Sequence, residues 1–95
     1  MKITIIGAGN MGGAIARGLA SGTIIKAEDL TVTAHTQKTL DKLSEDVEGI
    51  KTTLNNAEAV KDAEIVMLAI KPWLIKNIIE EIKPSLNLKK QITVS

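Results

Sequence analysis

The residues ITII (3–6), followed directly by GAGNMG (7–12), decide the fold of this chain. A continuous β-branched run is typical of a strand that is covered on both faces. Small and apolar residues then recur at helical spacing until Ser21 and Gly22 stop the pattern: Met11, Ala14, Ile15, Gly18 and Leu19. The stretch therefore predicts a first strand that enters a first helix through a glycine-rich turn.

Strand-like and helix-like segments alternate along the rest of the chain. Further strands are predicted over LTVTA (30–34), residues 50–54, IVMLAI (65–70) and residues 92–94. Between them, apolar residues recur on one face of predicted helices: Leu40, Leu43 and Val47, then AEAV (57–60), then Leu74, Ile75, Ile78, Ile79 and Ile82. Trp73 and these isoleucines are predicted to pack. Because strands that alternate with helices pair in parallel through right-handed crossovers, the predicted fold is α/β, a doubly wound parallel sheet.

The composition excludes several classes of protein. The 95 residues suffice for one domain, predicted over 1–95, and 12 Lys and Arg against 11 Asp and Glu offer no basic surface to a nucleic acid. No Cys and a single His leave no disulfide and no Cys/His zinc site, so no metal is predicted. No apolar run approaches the roughly 18 residues of a membrane span. We therefore expect a cytoplasmic protein with neither a nucleic acid nor a membrane as partner.

Gly7, Gly9 and Gly12 form a G-x-G-x-x-G pattern between the predicted strand and helix. The first glycine allows a tight turn, the second lets a pyrophosphate approach the backbone, and the third permits close packing. Free N–H groups and the positive end of the helix dipole would meet the pyrophosphate charge. We therefore predict a Rossmann-like dinucleotide-binding domain, with Gly13 and Gly18 as packing positions. The whole loop is predicted to bind the cofactor: Gly7, Ala8, Gly9, Asn10, Met11 and Gly12.

The end of the second strand favours NADP(H), with NAD(H) as the other candidate. An NAD site usually has a carboxylate here, which binds the ribose 2′-hydroxyl. This chain instead reads TAHTQK (33–38), without a carboxylate before Asp41. The Thr36 hydroxyl and the Lys38 ammonium suit a 2′-phosphate, and Ala34 borders the same site. His35 either contacts the adenine or the phosphate, or is an ordinary exposed loop residue.

Two further segments fall at the same predicted edge of the sheet. Ala69, Ile70, Lys71 and Pro72 close the fourth strand and could border the nicotinamide half of the cofactor, or Pro72 could simply end a strand beside a solvated lysine. Asn56 follows the third strand, where it would either contact the ribose or cap the helix that begins at AEAV.

The segments IGAGNMGGAI (6–15) and LAIKP (68–72), with their spacing, resemble the N-terminal NADP-binding domain of pyrroline-5-carboxylate reductase. The resemblance implies an oxidoreductase that transfers hydride from NADPH to 1-pyrroline-5-carboxylate, a small-molecule substrate, in proline biosynthesis. It also implies a homo-oligomer formed through a C-terminal helical domain. No catalytic residue is predicted in this chain. The positions that the resemblance places along NADP(H) are the glycine loop, residues 34–36, Asn56 and residues 69–72.

Two alternatives have other functions. The same glycine loop also resembles β-hydroxyacid dehydrogenases and deazaflavin-dependent NADP reductases, and a module that binds a dinucleotide without catalysis would suit the short chain. Since the fifth strand, QITVS (91–95), has no helix after it, we expect the chain to be a domain truncated after this strand, inactive as a reductase by itself.

Overall fold

The strands and helices occur in the predicted order. A computed structural model describes residues 2–22, 25–85 and 92–94. The strands are β1 (Ile3–Ile6), β2 (Leu30–Thr33), β3 (Lys51–Thr53), β4 (Ile65–Leu68) and β5 (Ile92–Val94). The α-helices are α1 (Asn10–Ala20), α2 (Gln37–Asp46), α3 (Asn56–Ala59) and α4 (Pro72–Ile82), with short 3-10 helices at Ala27–Asp29 and Lys83–Ser85. No helix in the described residues has the length and apolarity needed to cross a membrane.

The five strands form one parallel sheet in the order β3-β2-β1-β4-β5. This arrangement confirms the predicted doubly wound α/β fold. The chain first builds outward from β1 through β2 to β3, and then crosses to β4 on the other side of β1. Ligands of such sheets bind at the carboxyl ends of the strands, at the point where the strand order reverses. A ligand is therefore expected at the loops that follow β1, β2 and β4.

Two hydrophobic cores lie on opposite faces of the sheet, because side chains alternate along each strand. Ile3 and Ile5 point into the core that α1 and α2 cover, whereas Ile6 points into the core closed by Ile82 of α4. All four residues of β1 are buried, as predicted for a central strand. Leu40, Leu43 and Val47 are buried on the α2 side, which confirms the predicted face of that helix.

Several predicted packing positions are wrong. Ala14 and Gly18 lie on the exposed side of α1, whereas Ala16, which has no exposed surface, packs in the core beside the predicted Ile15 and Leu19. Trp73 is 73% exposed because it stands in the first turn of α4, and Ile79 lies at the solvent edge of the same helix. Strand lengths also differ: β2 ends at Thr33 and β4 at Leu68, where the backbone leaves the sheet to form the loops of the site.

Thr4 is the polar residue of β1, and its hydroxyl ties the sheet to α3. Its side chain is 2% exposed, and Oγ1 donates a hydrogen bond of 2.6 Å to the carbonyl oxygen of Ala59. We expect Thr4→Val to lower the free energy of unfolding by about 1–2 kcal/mol, because the buried carbonyl loses its donor. Urea denaturation measures the change. Thr31→Val, at the half-buried register partner on β2, is the control, and an equal loss in both variants would contradict the assignment.

Candidate functional site

The loops after β1, β2 and β4 are joined by backbone hydrogen bonds at the carboxyl edge of the sheet. The amides of Gly7 and Ala8 both donate to the carbonyl oxygen of Thr33, over 3.1 and 2.8 Å. The amide of Ala69 donates to the carbonyl oxygen of Ile6 over 2.9 Å. The glycine turn is therefore held from both sides, by the ends of β2 and β4.

The three glycines of the turn have different surroundings. Gly7 has φ +102°, and a Cβ there would lie 2.6 Å from the carbonyl oxygen of Ala69. A Cβ on Gly12 would overlap the carbonyl oxygen of Gly7 and lie 3.2 Å from the Ala69 Cβ, so this glycine allows α1 to approach the turn. A Cβ on Gly9 would have no atom within 4 Å. Two glycines are thus required by the protein's own packing, and the third faces open space.

The open space at Gly9 lies where α1 begins. Gly9 is the N-cap of that helix, and its carbonyl accepts the first intrahelical bond, from the amide of Gly13 at 2.8 Å. The first turn of an α-helix has N–H groups without intrahelical partners and the positive end of the helix dipole. No acidic side chain stands in this turn to occupy them. The arrangement has the chemistry of an anion site that a dinucleotide pyrophosphate can approach. Predictions made for the side chains of Asn10 and Met11 lie outside the described residues.

A crevice of about 270 Å³ opens beside the turn and brings together several predicted site residues. Its lining includes Gly7, Ala34, His35, Asn56 and Ile70. These residues come from the loops after β1, β2, β3 and β4, so the topology alone accounts for their meeting. The exposed side chain of Leu54 and the half-buried Ile78 give the crevice apolar walls suited to a flat ring.

Asn56 lines this crevice and does not cap α3. The N-cap is Asn55, whose side-chain oxygen accepts from the amide of Glu58 at 3.0 Å, so the capping interpretation of Asn56 is wrong. The Asn56 Nδ2 instead donates to Oε2 of Glu81 over 2.9 Å. Glu81 belongs to α4 and also lines the crevice; sequence reasoning missed it because the two residues are 25 positions apart.

A second cavity, of about 380 Å³, lies on the other side of the turn between α1 and α2. Gly9 and Lys38 line it, whereas His35 lines the crevice, so the residues after β2 divide between the two spaces. Thr36 is in neither lining: its Oγ1 caps α2, accepting from the amide of Thr39 at 3.5 Å and sharing a hydrogen bond of 2.9 Å with the Thr39 hydroxyl. The second cavity also includes Arg17 and Lys42, which the sequence analysis did not single out.

The segment after β4 divides between the turn and the start of α4. Ala69 packs beside Gly12, and Ile70 lines the crevice. Lys71 and Pro72 are exposed; Lys71 is the N-cap of α4 and Pro72 its first residue. They stand at the predicted edge of the sheet but not in the lining of either cavity.

A cavity of about 220 Å³ at the opposite, amino edge of the sheet has a different charge. Its lining is net negative, because it has two ammonium groups and four carboxylates: Lys2, Lys51, Glu28, Asp29, Glu58 and Asp62. An anionic cofactor would be repelled there. The two spaces beside the glycine turn are therefore the candidate site.

The chain is similar in sequence and in fold to known NADP-dependent oxidoreductases. Residues 2–95 match the family described as NADP oxidoreductase, coenzyme F420-dependent. The chain is 38% identical over 77 residues to a pyrroline-5-carboxylate reductase of Vibrio alginolyticus, which corresponds to 81% of this chain and 28% of that protein. A solved pyrroline-5-carboxylate reductase of Coxiella burnetii is 35% identical with a TM-score of 0.86, over 97% of this chain and 34% of that one. The NADP-bound pyrroline carboxylate reductase of Plasmodium falciparum is 29% identical with a TM-score of 0.78, over 98% and 32%.

The chain thus spans about a third of the length of these relatives. They confirm the resemblance seen in IGAGNMGGAI (6–15) and LAIKP (68–72), and the structural matches confirm the Rossmann-like fold. Because the family match extends over residues 2–95, the chain belongs to the NADP oxidoreductase, coenzyme F420-dependent family.

Proposed function

We propose that this chain is the NADP(H)-binding domain of a pyrroline-5-carboxylate reductase. The observation that carries the proposal is the open space at Gly9 in front of α1, in a turn whose other two glycines are closed in by the protein itself. This open space differs from that at other glycines because it lies at the N-cap of α1, where unpartnered N–H groups and the positive end of the helix dipole suit a pyrophosphate. The NADP in the Plasmodium falciparum relative supports the choice of ligand, and the 35% identity to the Coxiella burnetii enzyme supports the choice of reaction.

The residues around the glycine turn can be assigned to the three parts of NADPH, which are the pyrophosphate, the adenosine and the nicotinamide half. Gly9 and the start of α1 would hold the pyrophosphate, together with Gly7, Ala8 and Gly12 of the same turn. The crevice formed by Ala34, His35, Asn56 and Ile70 would receive the adenosine, since it combines apolar walls with polar side chains. Ala69, Lys71 and Pro72 would border the nicotinamide half. Asn10 and Met11 remain candidate ligands as part of the turn.

In the proposed reaction, bound NADPH supplies the hydride that reduces the C=N carbon of 1-pyrroline-5-carboxylate to give proline. The chain's own residues contribute binding and orientation: the turn fixes the pyrophosphate and the crevice fixes the adenosine, so the dinucleotide has one direction across the sheet edge. No described residue is proposed as an acid, a base or a nucleophile.

The whole protein's partners are part of the same proposal. The relatives are about three times longer, and we propose that the substrate and the second copy of a homo-oligomer contact the remaining two thirds of such a protein. The absence of cysteine supports the cytoplasm as its compartment. The alternative functions are less well supported, because the relatives of 29–38% identity described above are named for pyrroline-5-carboxylate reduction.

Calorimetric titration of this chain with NADPH and NADH tests the proposal. We expect both to bind and NADPH to bind about tenfold tighter, which is about 1.4 kcal/mol. Among the described residues that line the two spaces beside the glycine turn, Glu81 has the only carboxylate, and this carboxylate accepts a hydrogen bond from Asn56 and is thus less able to repel the 2′-phosphate. Equal affinities would contradict the preference for NADP. Binding of neither nucleotide by a folded chain would contradict the function.

A further inference from the structure

A side-chain hydrogen bond links α3 to α4 in the lining of the crevice beside the glycine turn. The Asn56 Nδ2 donates to Oε2 of Glu81 over 2.9 Å, and both residues line the crevice. The bond caps neither helix, because the N-cap of α3 is Asn55 and Glu81 lies near the other end of α4 from its N-cap. Its position instead places it where a ligand of the crevice would meet Asn56.

Glu81 determines which way the Asn56 amide faces. A carboxylate accepts hydrogen bonds and donates none, whereas the two ends of an asparagine amide are an acceptor and a donor of nearly the same shape. If the amide turned over, Oδ1 would lie against the carboxylate, and two acceptors would face each other with no hydrogen between them. The carboxylate therefore holds Nδ2 toward α4 and Oδ1 away from it.

The Oδ1 of Asn56 is an acceptor that the protein does not use. Among the described residues, no N–H or O–H group donates to it. The side chain is half-buried, in a crevice with apolar walls from Leu54, Ile70 and Ile78. A flat ring between these walls would have one acceptor of fixed direction at its edge.

The adenine ring has a group that matches such an acceptor. Its exocyclic amine donates hydrogen bonds, whereas N7 beside it only accepts them, and an asparagine amide is the usual partner of this edge. A ribose hydroxyl both donates and accepts, so it would fit either direction of the amide. The fixed direction of Asn56 therefore favours the amine over the ribose as its ligand.

We propose that Glu81 is a positioning residue, which holds the Asn56 amide so that Oδ1 accepts a hydrogen bond from the exocyclic amine of the NADPH adenine. The inference rests on the proposed function and adds to it a selectivity for the base. Without Glu81 the amide has two directions of similar energy. Asn56 can then present Nδ2 to a base that has a carbonyl where adenine has its amine.

Titration with NADPH and with its hypoxanthine analogue, in which a carbonyl replaces the amine, tests the role of Glu81. We expect the wild-type chain to bind the analogue about tenfold more weakly, because the two oxygens would face each other. In Glu81→Gln this preference should fall to within about twofold, because a glutamine amide can donate or accept. The two nucleotides carry the same charge, so the lost carboxylate charge affects both equally.

Glu80→Gln is the matched control, since Glu80 is an exposed neighbour on α4 outside the crevice lining. It should keep the tenfold preference. Asn56→Ala, which has no amide, should lose the preference as Glu81→Gln does. Circular dichroism shows that each variant is folded.

The outcomes separate the role of Glu81 from the proposed function. If the wild-type chain binds the two nucleotides equally well, or if Glu81→Gln keeps the tenfold preference, the positioning role is wrong while the function stands. Equal weakening of both nucleotides by Glu81→Gln would also overturn it, because a merely structural residue would have that effect. A wild-type chain that binds neither nucleotide overturns the function and the positioning role together.

Discussion

Gly9→Val is expected to abolish NADPH binding while the domain stays folded. Gly9 has φ −70° and ψ −158°, which any residue adopts, and its Cβ would meet no atom within 4 Å. The protein therefore has no internal need for glycine at this position. A valine would fill the space before α1 that the pyrophosphate must enter, and we expect the Kd to rise by at least about a hundredfold.

Gly18→Val is the matched control for this experiment. Gly18 lies in the exposed part of α1, and a Cβ there also has open space around it, so the same substitution is made at a position far from the turn. Calorimetry gives both affinities, and thermal denaturation shows that both variants fold. Wild-type affinity in folded Gly9→Val would mean that the dinucleotide does not approach the backbone here.

Gly12→Ala is expected to lower the free energy of unfolding by about 3 kcal/mol or more, a large loss for a single methyl group. The added Cβ would overlap the carbonyl oxygen of Gly7 and press on the Ala69 Cβ, and the neighbouring atoms are backbone that cannot rotate away. The start of α1 would have to move off β1. Urea denaturation followed by circular dichroism measures the loss.

The control for the alanine is again on the same helix. Gly18→Ala should stabilise the chain by about 0.5–1 kcal/mol, because alanine favours the helix and nothing opposes its methyl group. If Gly12→Ala were as stable as the wild-type chain, the close approach of α1 to the turn would not be a requirement of the fold. Together, the substitutions at Gly9 and Gly12 distinguish a glycine that ligand binding requires from a glycine that packing requires.

The features of this structure that could be predicted from the sequence are those that depend on residues close together in the chain. A β-branched run, a glycine triplet and a helical repeat are read within the first 22 residues, and the doubly wound sheet follows from their alternation along the chain. The cap of α3 is Asn55, one position before the Asn56 considered from the sequence, because both are good capping residues and the sequence defines helix ends only to within a residue or two.

The contacts that could not be predicted from the sequence are those between residues far apart in the chain. Arg17 meets Asp46 across 29 residues, and Asn56 meets Glu81 across 25. Neither pair has a local pattern, since each depends on how two helices lie on the finished sheet. Trp73 also differs from the prediction, because an aromatic side chain is usually buried, whereas this one stands in the first turn of α4 and is largely exposed.

The double hydrogen bond from Gly7 and Ala8 to Thr33, with that from Ala69 to Ile6, has a thermodynamic consequence for recognition. A loop fixed by the strands on either side loses its conformational entropy when the chain folds, not when a ligand arrives. Association then has only the freedom of the dinucleotide itself to restrict. The same backbone bonds that complete the sheet thus prepare a rigid surface for an inherently flexible molecule.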